Sequence, residues 1–372
     1  MRYLKLYDNY DFKIDKAQGV YIYDQQGNRY FDTFAGIGAL ALGHSNLDVI
    51  NAITNKLNRY AHTSNFFLDE DTEKVAELIT DPGDKAFFVN SGTEATDLAL
   101  KIIKKKIGQA KILFFNNSFH GRTLGALSVN GFPKLKDQFK PLLPNIVEAE
   151  FNNLQSLKKV ISNNPDLKAV FFEPIQGSGG VQPASPEFAA ELKKQIQANN
   201  LILVADEIQA GLYRTAKKYA YEHYNLKPDL ITVAKALGGG LPLGGVIMKG
   251  EMTEVLKPGD HGSTFAPNPL ALSGSRVVLE KLKKMQPAIL EKGKYFAQKL
   301  EELDSTQIKE IRGLGLMKGI ELKKEIPNLR DKAQAEGLLL NIVQTKVIRL
   351  LPALTITKNE IDELVEKLAK II

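Results

Sequence analysis

The sequence predicts an α/β fold: a large unit built on a mostly parallel central sheet flanked by helices, with a smaller α+β unit made from both ends of the chain. Three observations carry this. Short, continuous apolar runs recur through the middle of the chain, at residues 86–89, 111–115, 169–173, 201–206 and 230–234. Longer amphipathic stretches alternate with them, as at 93–106 and 186–199. The last third changes character, with helical patterning over 268–303 followed by short strand candidates. Apolar runs without polar alternation mark strands buried on both faces. Strand, helix and strand in series give a parallel sheet covered on both sides.

Taken in order, residues 20–34 read as a hairpin with Gln26, Gly27 and Asn28 at its turn. The α/β alternation follows. Residues 257–269, rich in Pro and Gly, read as a boundary. Beyond the helical stretch, strands are expected at 316–322 and 347–350, then a final helix opened by a capping box of Thr357 and Glu360. The expected division is residues 1–45 as an N-terminal part of the small domain, 46–262 as the large domain and 263–372 as the C-terminal small domain.

A chain of 372 residues, 44% hydrophobic and 25% charged, has room for a large core without covalent staples. It has no cysteine, which excludes disulfides, thiolate metal sites and a cysteine nucleophile. The net charge of +6 comes from basic residues scattered among acids, with no nucleic-acid module beside them. Charges interrupt the N-terminal segment, and no apolar window is long enough to span a bilayer. The expectation is a cytoplasmic protein with small-molecule substrates, no nucleic-acid or membrane partner, and no metal site.

Ligands of open parallel sheets bind at the carboxyl ends of the strands, and four segments fall there. Ser91, Gly92 and Thr93 open a helix directly after a strand, where backbone amides and the helix dipole favour an anion. Ser91 with Glu94 also reads as an ordinary capping box. Asp206 ends a very apolar strand, where a carboxylate needs a cation or strong donors, or caps the next segment. Lys235 ends another buried strand before Gly238-Gly239-Gly240. A buried amine has a lowered pKa and adds readily to carbonyl groups, though a lysine here could also snorkel to solvent. Phe119, His120 and Arg122 follow a third strand. They offer a ring to stack and a cation for a carboxylate, or core and structural roles.

These segments, in this order and spacing, resemble the class III (subgroup II) aminotransferases. The likeness extends to Gly43-His44, Glu173–Gly177, Asp206–Gly211, His261–Phe265 and Arg349–Pro352. Residues 118–125 and 261–265 are most similar to enzymes of the acetylornithine type. Ile37 stands where ornithine-specific members place a tyrosine, which favours an N-acylated diamino acid as donor. The chain departs from the pattern at Ser178, where members usually have a glutamate that masks the arginine matching Arg349. It departs again at Ala266-Pro267, in place of Gly-Gly.

The resemblance implies a fold-type I transferase with pyridoxal 5'-phosphate as cofactor, carried by Lys235. It implies that Asp206 keeps the ring nitrogen protonated, that Gln209 reaches the ring hydroxyl and that Phe119 stacks on the ring. Ser91, Gly92 and Thr93 would hold the phosphate, joined by Thr264 from a neighbouring subunit, so a homodimer with shared sites is implied. Arg122, helped by Ser263, would take the donor's carboxylate, and Arg349 with Arg122 would take 2-oxoglutarate. The implied reaction is acetylornithine transamination in arginine synthesis. Other ω-aminotransferases, acting on succinylornithine, 4-aminobutyrate or carrier-bound aminoadipate semialdehyde, share nearly all these residues. An aminomutase is disfavoured by Arg349, and a nucleotide-binding module leaves Lys235 without a purpose.

Overall fold

A computed structural model describes Arg2 and residues 4–372. Its centre is a seven-stranded sheet in the order Lys85–Val89, Gly244–Met248, Leu230–Val233, Ile202–Asp206, Leu167–Phe172, Lys111–Phe115 and Ile146–Ala149. The last five are mutually parallel, and Gly244–Met248 runs antiparallel to both of its neighbours. The fold class is the expected one, with Gly244–Met248 and Ile146–Ala149 as strands that the apolar runs do not reveal.

Both faces of the sheet are apolar, and the two-residue period of a strand divides its side chains between them. Ile112 and Phe114 point to one side, where Leu98, Ile102 and Ile103 of the helix Gly92–Ile107 cover them. Leu113 and Phe115 point to the other, against Phe188 and Leu192 of the helix Pro186–Asn199. The first of these helices is capped as its sequence dictates. Ser91 Oγ accepts from the Glu94 amide at 3.2 Å, Lys104 to Lys106 sit in the last turn, and Gly108 closes it with φ 63°. The expected capping box is only half formed. The Glu94 carboxylate passes Ser91 and accepts from both the backbone N–H and the side-chain amide of Asn90, which offers it two donors instead of one.

The two chain ends meet in one smaller sheet, and the C-terminal part forms another of its own. The hairpin Tyr21–Asp24 and Arg29–Asp32 forms as expected and gains Ile14–Gln18 on one side. Leu338–Leu339 joins its other side in parallel. A second sheet, in the order Ile308–Arg312, Lys318–Leu322, Val347–Leu350, Asn341–Val343, carries Arg349. The long helix Pro269–Glu301 packs on the helices Leu47–Arg59, Glu70–Ile79 and Lys358–Ala369. It is opened by Asn268, whose side chain accepts from the Leu270 and Ala271 amides. The capping box of Thr357 and Glu360 is complete. Among the described residues, no helix is long and apolar enough to cross a membrane.

Candidate active site

Parallel neighbours end side by side, so the register of the sheet decides what meets at its carboxyl edge. Asp206 pairs with Thr232, which places Lys235, just past the adjacent strand, at the same edge. A cavity of about 440 Å³ opens there. Ser91, Gly92, Thr93, Phe119, Arg122 and Lys235 all line it. Asp206 is buried beside it, while Gln209 and Arg349 bond to each other on the side of the C-terminal sheet.

Lys235 is held in the left-handed backbone region, φ 47°, where a residue with a side chain is strained by about 1–2 kcal/mol. Burial drives its amine down to about 8. The Asp206 carboxylate opposes that shift and the Arg349 cation adds to it. An amine so placed has a far larger neutral fraction near physiological pH than an ordinary lysine, and the neutral form is the one that adds to a carbonyl.

Asp206 meets a basic partner inside the protein. Its Oδ2 lies 2.5 Å from Nδ1 of His120, which is fully buried, and its Oδ1 accepts from the Ile208 amide at 3.0 Å. Burial acts to lower the His120 pKa, but the hydrogen bond and charge of Asp206 outweigh it and the net shift is upward. The sequence offers His120 only as part of a motif. Its partnership with Asp206 depends on two strands being brought together. Glu173 is a second buried acid here, raised to about 7 chiefly by burial and held back by His120. One of its oxygens accepts the Phe119 amide at 2.9 Å and so sets the backbone that carries the Phe119 ring.

The helix start at Gly92 turns its first amides toward the cavity. The amides of Gly92 and Thr93 have no protein acceptor among the described residues, as expected for the first turn of a helix. The Thr93 hydroxyl is already engaged. It accepts from the Arg122 and Thr123 amides at 3.1 and 3.2 Å and lies 2.9 Å from the Thr123 hydroxyl. Gly121 makes this junction possible, since at φ 142° a Cβ would stand 2.2 Å from the Thr93 Oγ1. Arg122 is exposed on the rim, its guanidinium 5.5 Å from the centre of the Phe119 ring.

Arg349 is buried, yet no carboxylate lies within ion-pairing distance of it among the described residues. Its Nε donates to Asn341 Oδ1 at 2.8 Å and its Nη1 to Gln209 Oε1 at 3.1 Å. Burial lowers it to about 10, against the pull of Glu173. Ser178 lies in the turn 177–181 beside this pair: a Cβ on Gly177 would stand 1.9 Å from Gln209 Oε1.

Ser263 and Thr264 lie on a separate loop. Ser263 Oγ accepts from Asn90 Nδ2 at 3.1 Å, and its carbonyl accepts from Asn65 Nδ2 at 2.6 Å. Thr264 is exposed and does not line this cavity. Ile37 is 40% exposed and held at φ 60°, unusual for a β-branched residue, two positions before Ala39 on the cavity wall.

An amine of lowered pKa, a buried carboxylate, free amides at a helix start and an aromatic ring around one cavity match the aldehyde, ring nitrogen, phosphate and ring face of pyridoxal phosphate. These residues fit that cofactor. The family described as aminotransferase class-III matches residues 3–372. An acetylornithine aminotransferase from Aquifex aeolicus is 39% identical over 368 residues, covering 97% of this chain and 96% of the relative. One from Bacillus subtilis is 41% identical over 373 residues, covering 98% and 96%. The crystal structure of an ornithine aminotransferase from Toxoplasma gondii superposes with a TM-score of 0.92 at 30% identity, covering 99% of this chain and 92% of that one. The chain therefore belongs to the class-III aminotransferases, and its cofactor is pyridoxal phosphate.

Proposed function

We propose that this enzyme moves the δ-amine of N-acetylornithine to 2-oxoglutarate, giving N-acetylglutamate 5-semialdehyde and glutamate, as a step of arginine synthesis in the cytoplasm. The observation that carries the reading is the pair of arginines: Arg122 on the rim, and Arg349 buried without an acid partner. Two separated cations suit a dicarboxylate acceptor, and one suffices for a donor with a single carboxylate. The acyl group is supported by the full-length similarity to acetylornithine aminotransferases and by Ile37, which offers no hydroxyl to a free α-amine. A panel of donors assayed with 2-oxoglutarate tests it. N-acetylornithine should give the highest kcat/KM, and preference for free ornithine or 4-aminobutyrate would overturn it.

Bound pyridoxal phosphate supplies an aldehyde and an electron-accepting ring. The chain's own residues do the rest. Lys235 would carry the cofactor through its amine and, once released, would take the proton from the donor's amine-bearing carbon and deliver it to the carbon that the cofactor's aldehyde supplies. Asp206, fixed by His120, holds a proton at the ring nitrogen. The Gly92 and Thr93 amides and the Ser91 hydroxyl take the phosphate, the Thr93 hydroxyl holding the Arg122 segment in place. Phe119 would stack on the ring, and Gln209 would serve the ring hydroxyl. Arg122 with Ser263 orients the donor, and Arg122 with Arg349 orients the acceptor.

The working form is a homodimer in which Thr264 completes the phosphate site of the neighbouring subunit. Phe66, Phe67, Leu68 and Phe265 are 95, 69, 104 and 61% exposed. Their loops are tied by the His62–Phe265 ring contact and the Asn65–Ser263 bond. An apolar cluster of this size beside Thr264 is the signature of an interface.

Two outcomes follow from the charges. Only the neutral amine of Lys235 adds to an aldehyde. The rate at which cofactor-free enzyme captures pyridoxal phosphate should therefore rise as pH increases through about 8 and level off above. Stopped-flow absorbance checks this, and a rate flat across that region contradicts it. Second, Ser178→Glu should place a carboxylate beside Arg349. A charge-assisted bond is worth about 1.5 kcal/mol, so the apparent oxoglutarate affinity should fall about tenfold while acetylornithine loading holds. Single-turnover half-reactions check it, and unchanged oxoglutarate binding means that position 178 does not face Arg349.

A further inference from the structure

We infer that Arg214 is a positioning residue for Arg349: its buried guanidinium pins the C-terminal strand that carries Arg349 to the segment that carries Gln209. Arg214 is 2% exposed and has no acid partner among the described residues. Burying a cation without a carboxylate is costly, so its bonds must serve geometry. Its Nη1 donates to two carbonyls of the C-terminal part, Leu316 at 3.2 Å and Pro352 at 2.5 Å. The Leu316 amide returns a bond to the Arg214 carbonyl at 3.0 Å, so the contact is reciprocal.

The backbones touch at this point. Gly315 has φ 54°, and a Cβ on it would stand 2.6 Å from the Thr215 carbonyl carbon and 2.7 Å from the Arg214 oxygen. Pro352 lies three residues after Arg349, just past the end of its strand, and Leu351 next to it is also held by Thr33, whose carbonyl accepts its amide at 2.7 Å. Ala210, Met317 and Leu351 share one small apolar cluster around the contact. Next to Ala210 in the chain, Gln209 accepts from Arg349. The chain thus meets the C-terminal strand twice within a few residues, once through Arg349 and once through Arg214. Releasing the second contact frees the first to wander.

The inference rests on the reading of Arg349 as the acceptor's carboxylate site, and its test separates the two. The holoenzyme half-reactions, with N-acetylornithine and with 2-oxoglutarate, are measured for wild type, Arg214→Lys, Arg214→Met, Arg349→Ala and the double variant Arg214→Lys/Arg349→Ala. Arg214→Lys keeps the charge but replaces the rigid planar fork of the guanidinium with a flexible point ammonium. It should raise the apparent KM for oxoglutarate about fivefold or more and leave that for the donor within about twofold. Arg214→Met should exceed this; if it does not fold, the lysine variant carries the test. In the Arg349→Ala background, Arg214→Lys should add nothing to oxoglutarate affinity, because its effect passes through Arg349. Equal damage to both half-reactions, or full additivity with Arg349→Ala, overturns the role of Arg214 and assigns it to stability alone. If Arg349→Ala itself spares oxoglutarate, the reading of Arg349 falls, and this inference with it.

Discussion

Replacing Lys235 by alanine is expected to abolish transamination, with a loss of at least about 10⁴-fold, because the same side chain carries the cofactor and moves the proton. No neighbour can substitute. Of the other basic side chains described at the site, Arg122 and Arg349 do not give up their protons at working pH, and His120 is engaged by Asp206. The fold should survive, since Lys235 lies past the end of its strand and makes no hydrogen bond to another described residue. Steady-state rates, with circular dichroism as a control for folding, check this. Turnover near the wild-type rate would place the chemistry elsewhere.

Asp206→Asn should retain some cofactor yet lose at least about 10²-fold in rate. A charge-assisted bond exchanged for a neutral one forfeits about 1.5–3 kcal/mol, and loss of the ring-nitrogen proton weakens the electron sink further. The substitution reaches His120 as well. With the carboxylate gone, only the smaller pull of Glu173 still opposes burial of the imidazole, and its pKa falls. The cofactor's absorption should therefore shift in the variant even without substrate. A variant with turnover within about twofold of wild type would rule out the electron-sink role.

Much of this architecture is legible in the sequence because it rests on local patterning. The strands Lys111–Phe115 and Val347–Leu350 fall where their apolar runs lie, and the Thr357–Glu360 box opens the last helix. The strand Gly244–Met248 is not legible. Its two leading glycines continue a glycine-rich run, and its antiparallel placement is fixed only by the sheet around it. At the site, Lys235 and Asp206 stand out since each ends a buried strand with a charge. The bond of His120 to Asp206, the hold of Glu173 on Phe119, and the engagement of the Thr93 hydroxyl by the Arg122 segment all join residues distant in sequence. No spacing rule reaches them. Arg214 is hidden for the same reason, its acceptors Leu316 and Pro352 being supplied by a different part of the chain.

The central claim is that the strand-end segments form one site around Lys235. Borohydride reduction of the purified holoenzyme, followed by peptide mass mapping, tests it most directly. The account predicts loss of the cofactor's visible absorption and a single modified peptide bearing the reduced pyridoxal phosphate on Lys235. Modification of a different lysine, or an unmodified Lys235 in enzyme that still turns over, would contradict it.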